Sequence, residues 1–237
     1  MQIDKAIMSV DDKPLYEGFW PLISMVWKKR FNITPELIYF GSKKQDSTYG
    51  EVKYVDAVPE IPTHLQCQWA RFFYTRLERE STYITTDIDM FPISKSFFID
   101  QISHVNNDAY VHLFGSHRPM PACYHVAKGK CFQDVMRFEE DFESEMIKIH
   151  KLSQGHQRHM GMSGWGVDES HSTEMLLSYD GDRQKHLFPS TVRSKFRLDR
   201  SNWNYEYNLS NYIDSHSLRP LKCHMSSIQQ LAEDLVI

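Results

Sequence analysis

Asp87 and Asp89 stand two positions apart in YITTDIDMFPIS, residues 83–94, where an apolar run ends in acid. Carboxylates so placed can reach one divalent ion, directly or through water. Hard oxygen ligands suit magnesium or manganese, which commonly bridge protein carboxylates and substrate phosphates. The same pattern serves a second chemistry, in which an aspartate accepts a phosphoryl group beside magnesium. It also has a plain structural use, as a strand end whose acids face water, so the rest of the chain must separate the three.

A second cluster, Cys123, His125 and Cys131, has residue types that bind zinc, but no Cys-x-x-Cys pair accompanies it and a fourth ligand is unassigned. His156 and His159 in HQRH lack the glutamate of a helical zinc-protease motif and are read as loop residues.

The elements that must position these residues follow from periodicity. KAIMSV, residues 5–10, reads as a strand ended by Asp11-Asp12-Lys13-Pro14. In the next stretch Phe19, Leu22, Ile23, Val26 and Trp27 recur at helical spacing, and Lys28 to Arg30 close the helix as its dipole prefers. ELIYF, 36–40, and EVKYV, 51–55, read as strands, and the strand, helix, strand order points to a parallel sheet. THLQCQWARFFYTRLE, 63–78, reads as a helix delivering the chain into the strand TYITT, 82–86. The acidic pair then lies at the carboxyl end of a central strand, where open α/β sheets bind their ligands.

Beyond the pair, residues 91–102 predict a short helix, 109–114 a strand, and 133–152 one amphipathic helix. Residues 153–166, with four glycines and no period, predict a long loop of the kind that is functional or disordered. FPSTVRSKFRLD and NWNYEYN predict short strands and coil before a final helix, SSIQQLAEDLVI.

The chain has 237 residues, 27 basic and 31 acidic, and neither sign forms a long block, so nucleic acid is not an expected partner. Four scattered cysteines suit a reducing compartment. No secretory pattern opens the sequence and no apolar run approaches the roughly 18 residues of a membrane span, so the expectation is a soluble, cytoplasmic protein.

The order KAIMSVDD, an aromatic helix carrying Arg71, TYITTDIDMFPIS and a later GWGVDE resembles the metal-dependent glycosyltransferases of the GT-A, nucleotide-sugar fold, over about residues 3–180. In compact form it looks most like the soluble members from bacteria and large algal DNA viruses. The resemblance implies an α/β fold: one GT-A domain over 1–237, with a mixed, mainly parallel central sheet flanked by helices. Residues 1–105 would bind the nucleotide sugar and 106–237 the acceptor. It implies a metal-dependent transfer from a nucleoside-diphosphate sugar, expected to be a UDP-sugar, to a glycan or glycoprotein hydroxyl, with manganese or magnesium as cofactor.

Carried over residue by residue, the resemblance makes Val10, Asp11, Asp12 and Tyr16 contacts of the base and ribose, and Arg71 a contact of the diphosphate or sugar. Asp89 becomes the direct metal ligand and Asp87 a second contact to metal or donor. His216 in DSHSLRP is the third ligand, ahead of His186 and His224, although the family's glycine is missing there. Trp165 and Gly166 shape the acceptor site, Glu169 is the base of an inverting transfer, and Asp168 holds an acceptor hydroxyl. A retaining scheme on the same metal site is the alternative if that base fails, and helix capping is the mundane use of both acids. The loop with His156, His159 and Trp165 would close over the donor.

Two rivals stand beside this reading. A phosphatase of the haloacid dehalogenase type also follows a strand with Asp-x-Asp, but Phe91 takes the place of its usual Thr or Val, and some eighty residues precede a motif that family puts near its start. The other is a noncatalytic nucleotide-sugar-binding module.

Overall fold

The computed structural model describes residues 1–154, 164–189, 197–203 and 208–237. In chain order the strands are β1 (Lys5–Asp11), β2 (Thr34–Phe40), β3 (Glu51–Tyr54), β4 (Thr82–Thr85), β5 (Met90–Pro92), β6 (Tyr110–His112), β7 (His125–Lys128), β8 (Lys185–Leu187), β9 (Arg197–Asp199) and β10 (Asp214–His216). The helices are α1 (Phe19–Phe31), α2 (Thr63–Phe73), α3 (Lys95–Phe98), α4 (Gly129–Met136), α5 (Phe142–Ser153), α6 (Val167–Ser178) and α7 (Met225–Val236).

Seven strands form a mixed sheet in the order β3-β2-β1-β4-β7-β6-β8. It is mainly parallel, since only β7 runs against its neighbours β4 and β6. The strands alternate between two apolar layers, as a period of two requires. Ala6, Met8, Val10, Leu37 and Tyr39 join the layer that includes α1 and α7 residues, while Ile7, Ile38, Phe40 and Tyr83 join the one with α2, α4, α5 and α6 residues. Both faces are therefore covered, as a largely parallel sheet demands. Among the described residues no helix is long and apolar enough to cross a membrane.

A second, three-stranded sheet, β5-β10-β9, sits at the edge of the Asp-x-Asp turn. Its register sets His216 opposite Met90, the residue after Asp89, on one side and opposite Asp199 on the other. This small sheet brings the carboxyl-terminal part of the chain onto the acidic pair.

Two sequence expectations change. The single helix expected over 133–152 is broken: α4 ends at Arg137, whose φ of 53° is left-handed, and α5 restarts at Asp141, whose carboxylate accepts from the Ser144 amide as an N-cap. The helix expected over 91–102 starts later and is shorter: β5 takes Phe91 and Pro92, α3 is a single turn capped by Ser94, and a 3-10 turn follows over Asp100–Ile102. In addition β7, unassigned from sequence, runs antiparallel between β4 and β6.

Candidate active site

β4 runs parallel to β1 and ends at Thr85, opposite Ile7, while β1 continues to Asp11. Beyond them opens a cavity of about 370 Å³. Val10, Asp11 and Tyr16 reach it from β1 and its loop, and Cys67, Gln68 and Arg71 from α2. Asp87 and Asp89 come from the turn after β4, Trp165, Gly166, Asp168 and Glu169 from the start of α6, and Arg200, His216 and Arg219 from the carboxyl-terminal part. Asp12 faces an adjoining cavity of about 210 Å³ that shares Val10, Asp11, Tyr16 and Ile88 with the first. Every residue assigned to the site from sequence thus lines one of two neighbouring openings, whereas His186 and His224 line neither. A further cavity of about 540 Å³, at the amino-terminal ends of β6 and β8, contains none of them.

The two aspartates are unequal. The Asp89 side chain is 3% exposed and that of Asp87 37%. Asp87 accepts from Arg71 Nη1, while Arg71 Nη2 donates to Asp168 Oδ2 at 2.8 Å. One guanidinium therefore bridges the Asp-x-Asp turn to the start of α6. Burial works against its charge, but Asp87 and Asp168 outweigh it and hold Arg71 firmly protonated. The protein surroundings push the Asp87 carboxyl up, yet Arg71 holds it below the usual range. Asp168 stays raised because burial exceeds what Arg71 offsets. Both terminal nitrogens of Arg71 thus face carboxylates, which is the ion-pairing use of an arginine rather than an open phosphate fork.

Glu169 follows Asp168 in the first turn of α6, after Gly166, whose φ is 81°. A Cβ on Gly166 would meet open space, so backbone conformation and not crowding favours glycine there. Burial, then the charges of Asp168 and Asp87, push the Glu169 carboxyl up to about 7. Neither acid caps α6 through its side chain. Trp165 stacks on His64, with ring centroids 6.4 Å apart.

On the other side of the cavity, three cationic or imidazole nitrogens converge on one oxygen, Asp89 Oδ2. Arg200 Nη2 lies at 3.0 Å, Arg219 Nη1 at 3.6 Å and His216 Nε2 at 4.0 Å. His216 Nδ1 lies 3.1 Å from Asp199 Oδ2. Asp199 is itself fixed by the Ser201 amide at 2.8 Å and hydroxyl at 2.6 Å. With Nδ1–H given to Asp199, Nε2 offers its lone pair toward Asp89, the orientation seen when histidine binds metal. Arg219 also bonds the Tyr16 hydroxyl and lies over its ring at 5.3 Å. Burial, followed by the Asp89 charge, pushes the Tyr16 phenol up to about 12. On β1, Asp11 accepts from Thr63 Oγ1 at 2.7 Å, and Asp12 accepts from the Tyr39 hydroxyl and the Ser42 amide.

Two carboxylates and an oriented imidazole make a donor set that suits manganese or magnesium. The set is not drawn together, since arginines hold both carboxylates. Among the described residues, the one trio with ligand atoms all within 4.8 Å is Glu36, Glu51 and Glu78, and the Lys5 ammonium is already paired with all three. Cys123, His125 and Cys131 form no such group. His125 bonds the Tyr110 hydroxyl and the Pro121 carbonyl, and the Cys131 thiol lies near the Asp108 carbonyl, which removes the zinc reading. His156 and His159 lie outside the described residues.

Arg200 is a site residue that sequence reasoning missed. It follows Asp199 in a stretch without period, and only the fold brings it to Asp89.

With this geometry in place, the whole chain superposes on a known sugar-transferring protein. The galactosyltransferase LgtC, solved with donor and acceptor sugar analogs, matches at a TM-score of 0.53 and 12% identity, covering 98% of this chain and 96% of that one. An active-site mutant of LgtC matches at 0.52 and 10% identity, covering 98% and 94%. This chain has the fold of LgtC. The glycosyltransferase GlyE of Streptococcus pneumoniae matches at 0.48 and 10% identity, over 99% of this chain and 62% of GlyE. No protein-family model matches the chain, and no curated protein does.

Proposed function

We propose that the protein is a glycosyltransferase that moves a sugar from a nucleoside-diphosphate sugar, UDP-linked, to a hydroxyl of a glycan or glycoprotein. The observation that carries this is the meeting, in one cavity at the sheet's carboxyl end, of Asp87, Asp89 and His216 with Glu169, a carboxylate whose proton affinity sits near neutrality.

Asp89 and His216 would hold a manganese or magnesium ion, with Asp87 as second contact. When bound, such an ion supplies positive charge against the leaving diphosphate. Val10, Asp11, Asp12 and Tyr16 line the place for base and ribose, and Arg219 stands where it can face phosphate. Arg71 is a positioning residue, because its two terminal nitrogens hold Asp87 and Asp168. Trp165 and Gly166 border the acceptor side.

Glu169 takes the proton of the acceptor hydroxyl as that oxygen attacks the sugar's anomeric carbon and the bond to the diphosphate oxygen breaks. Asp168, committed to Arg71, is the poorer base. Attack opposite the leaving group inverts the anomeric centre.

The test is a screen of nucleotide sugars with manganese, following release of nucleoside diphosphate and the anomeric configuration of the product by NMR. Release with an inverted product supports the scheme. A retained configuration would reassign Glu169 from base to a group shielding the reacting carbon, and tight binding without release would make the chain a binding module.

A further inference from the structure

Resting on the donor and metal reading above, we propose that Arg200 is a diphosphate-binding residue that, in the donor-free protein, stands in for the divalent cation on Asp89. Arg200 Nη2 occupies Asp89 Oδ2, the oxygen that His216 Nε2 also faces. Arg200 Nη2, at 3.0 Å, holds the Asp89 oxygen that a divalent cation would need as a ligand.

The charge balance makes this more than a static ion pair. Arg71 is taken up by Asp87 and Asp168, so the neighbours of Asp89 are Arg200 and Arg219, two full positive charges against one carboxylate. A divalent ion approaching Asp89 Oδ2 meets the positive charge of both guanidinia. A diphosphate arriving with it supplies oxygens that accept from both guanidinia. Arg200 also has somewhere to go, because it lines the same cavity as Asp87 and Tyr16. Its Nη1 is buried and finds no hydrogen-bond partner among the described residues, as expected of a fork whose second tine awaits an oxygen. Metal and diphosphate would then favour each other's binding, and by linkage the effect is reciprocal.

The experiment measures manganese affinity of the full chain alone, by electron paramagnetic resonance of free manganese, and pyrophosphate affinity by calorimetry at saturating manganese. It compares the wild type with Arg200→Gln. Removing the stand-in cation is expected to tighten manganese binding without pyrophosphate by about fivefold or more, and to weaken pyrophosphate about tenfold. A purely structural arginine gives unchanged or weaker manganese binding, and either result overturns the proposal. If Arg200→Gln does not fold, Arg200→Met removes the charge on an unbranched stem and is expected to shift both affinities in the same directions. Manganese binding to neither wild type nor variant, with pyrophosphate present or absent, would instead overturn the metal site itself.

Discussion

Arg71 Nη2 donates to Asp168 Oδ2 across 2.8 Å, and both side chains are nearly sealed from solvent. This bond ties α2 to the first turn of α6 through the cavity wall. Removing the guanidinium leaves Asp168 buried and uncompensated and Asp87 without its main partner. Arg71→Met is therefore expected to cost about 3–5 kcal/mol of stability. Asp168→Asn, which leaves Arg71 still paired with Asp87, is expected to cost less. Urea unfolding of both variants measures the difference, and equal costs would count against the bridge.

Glu169 gives a pH dependence of definite sign. Its folded-state pKa of about 7 lies above the ordinary carboxylate value, so the folded protein binds this proton more tightly than the unfolded chain. Its contribution to stability falls as pH rises from about 4 to about 7. Glu169→Gln relieves that penalty, so its melting temperature should exceed the wild type's at pH 8 by about 2–4 °C for each kcal/mol relieved, and match it near pH 4.

The same carboxylate should shape turnover. Wild-type kcat/KM is expected to rise with pH and level off above about 7, while Glu169→Gln should lose that limb and fall by about 10²–10⁴-fold. A pH profile of nucleoside-diphosphate release decides it, and an unchanged limb in the variant would move the base elsewhere.

Asp89→Ala should abolish metal-dependent turnover while circular dichroism stays that of the wild type. Asp199→Asn acts one step further out. Without the carboxylate on His216 Nδ1, manganese affinity is expected to drop by about 10–100-fold, with turnover partly regained at higher manganese. Loss that excess metal does not relieve would mean that Asp199 matters for the small sheet and not for His216.

Much of the fold could be read from periodicity, because β1, α1, β2, α2 and β4 each carry their pattern within a few residues. The break between α4 and α5 was hidden. Arg137 adopts a left-handed φ that glycine would advertise, and the signal that was present, Asp141 three residues before Ser144, is a short cap inside a continuous apolar pattern. Arg137→Gly should accordingly stabilise the protein by about 0.5 kcal/mol, since the exposed pairing of Arg137 with Asp180 at 3.6 Å contributes little.

The candidate site was legible where strand ends and short motifs mark it: Asp87, Asp89, Asp168 and Glu169 all reach one cavity. It was not legible where partners meet across the chain. Arg71 is on the right helix, but its two carboxylates come from different elements. Arg200 reaches Asp89 through the pairing of β9, β10 and β5, which no local pattern announces.

That small sheet has a consequence for the order in which the protein comes into being on the ribosome. The seven-stranded sheet and the Asp-x-Asp turn are encoded mostly in the earlier part of the chain, whereas His216, Arg200 and Arg219 emerge late. A nascent chain that has already built β1 through β8 still carries its acidic pair without those three partners. Asp89 thus gains Arg200, His216 and Arg219 only after β9 and β10 have been made and β10 docks beside β5.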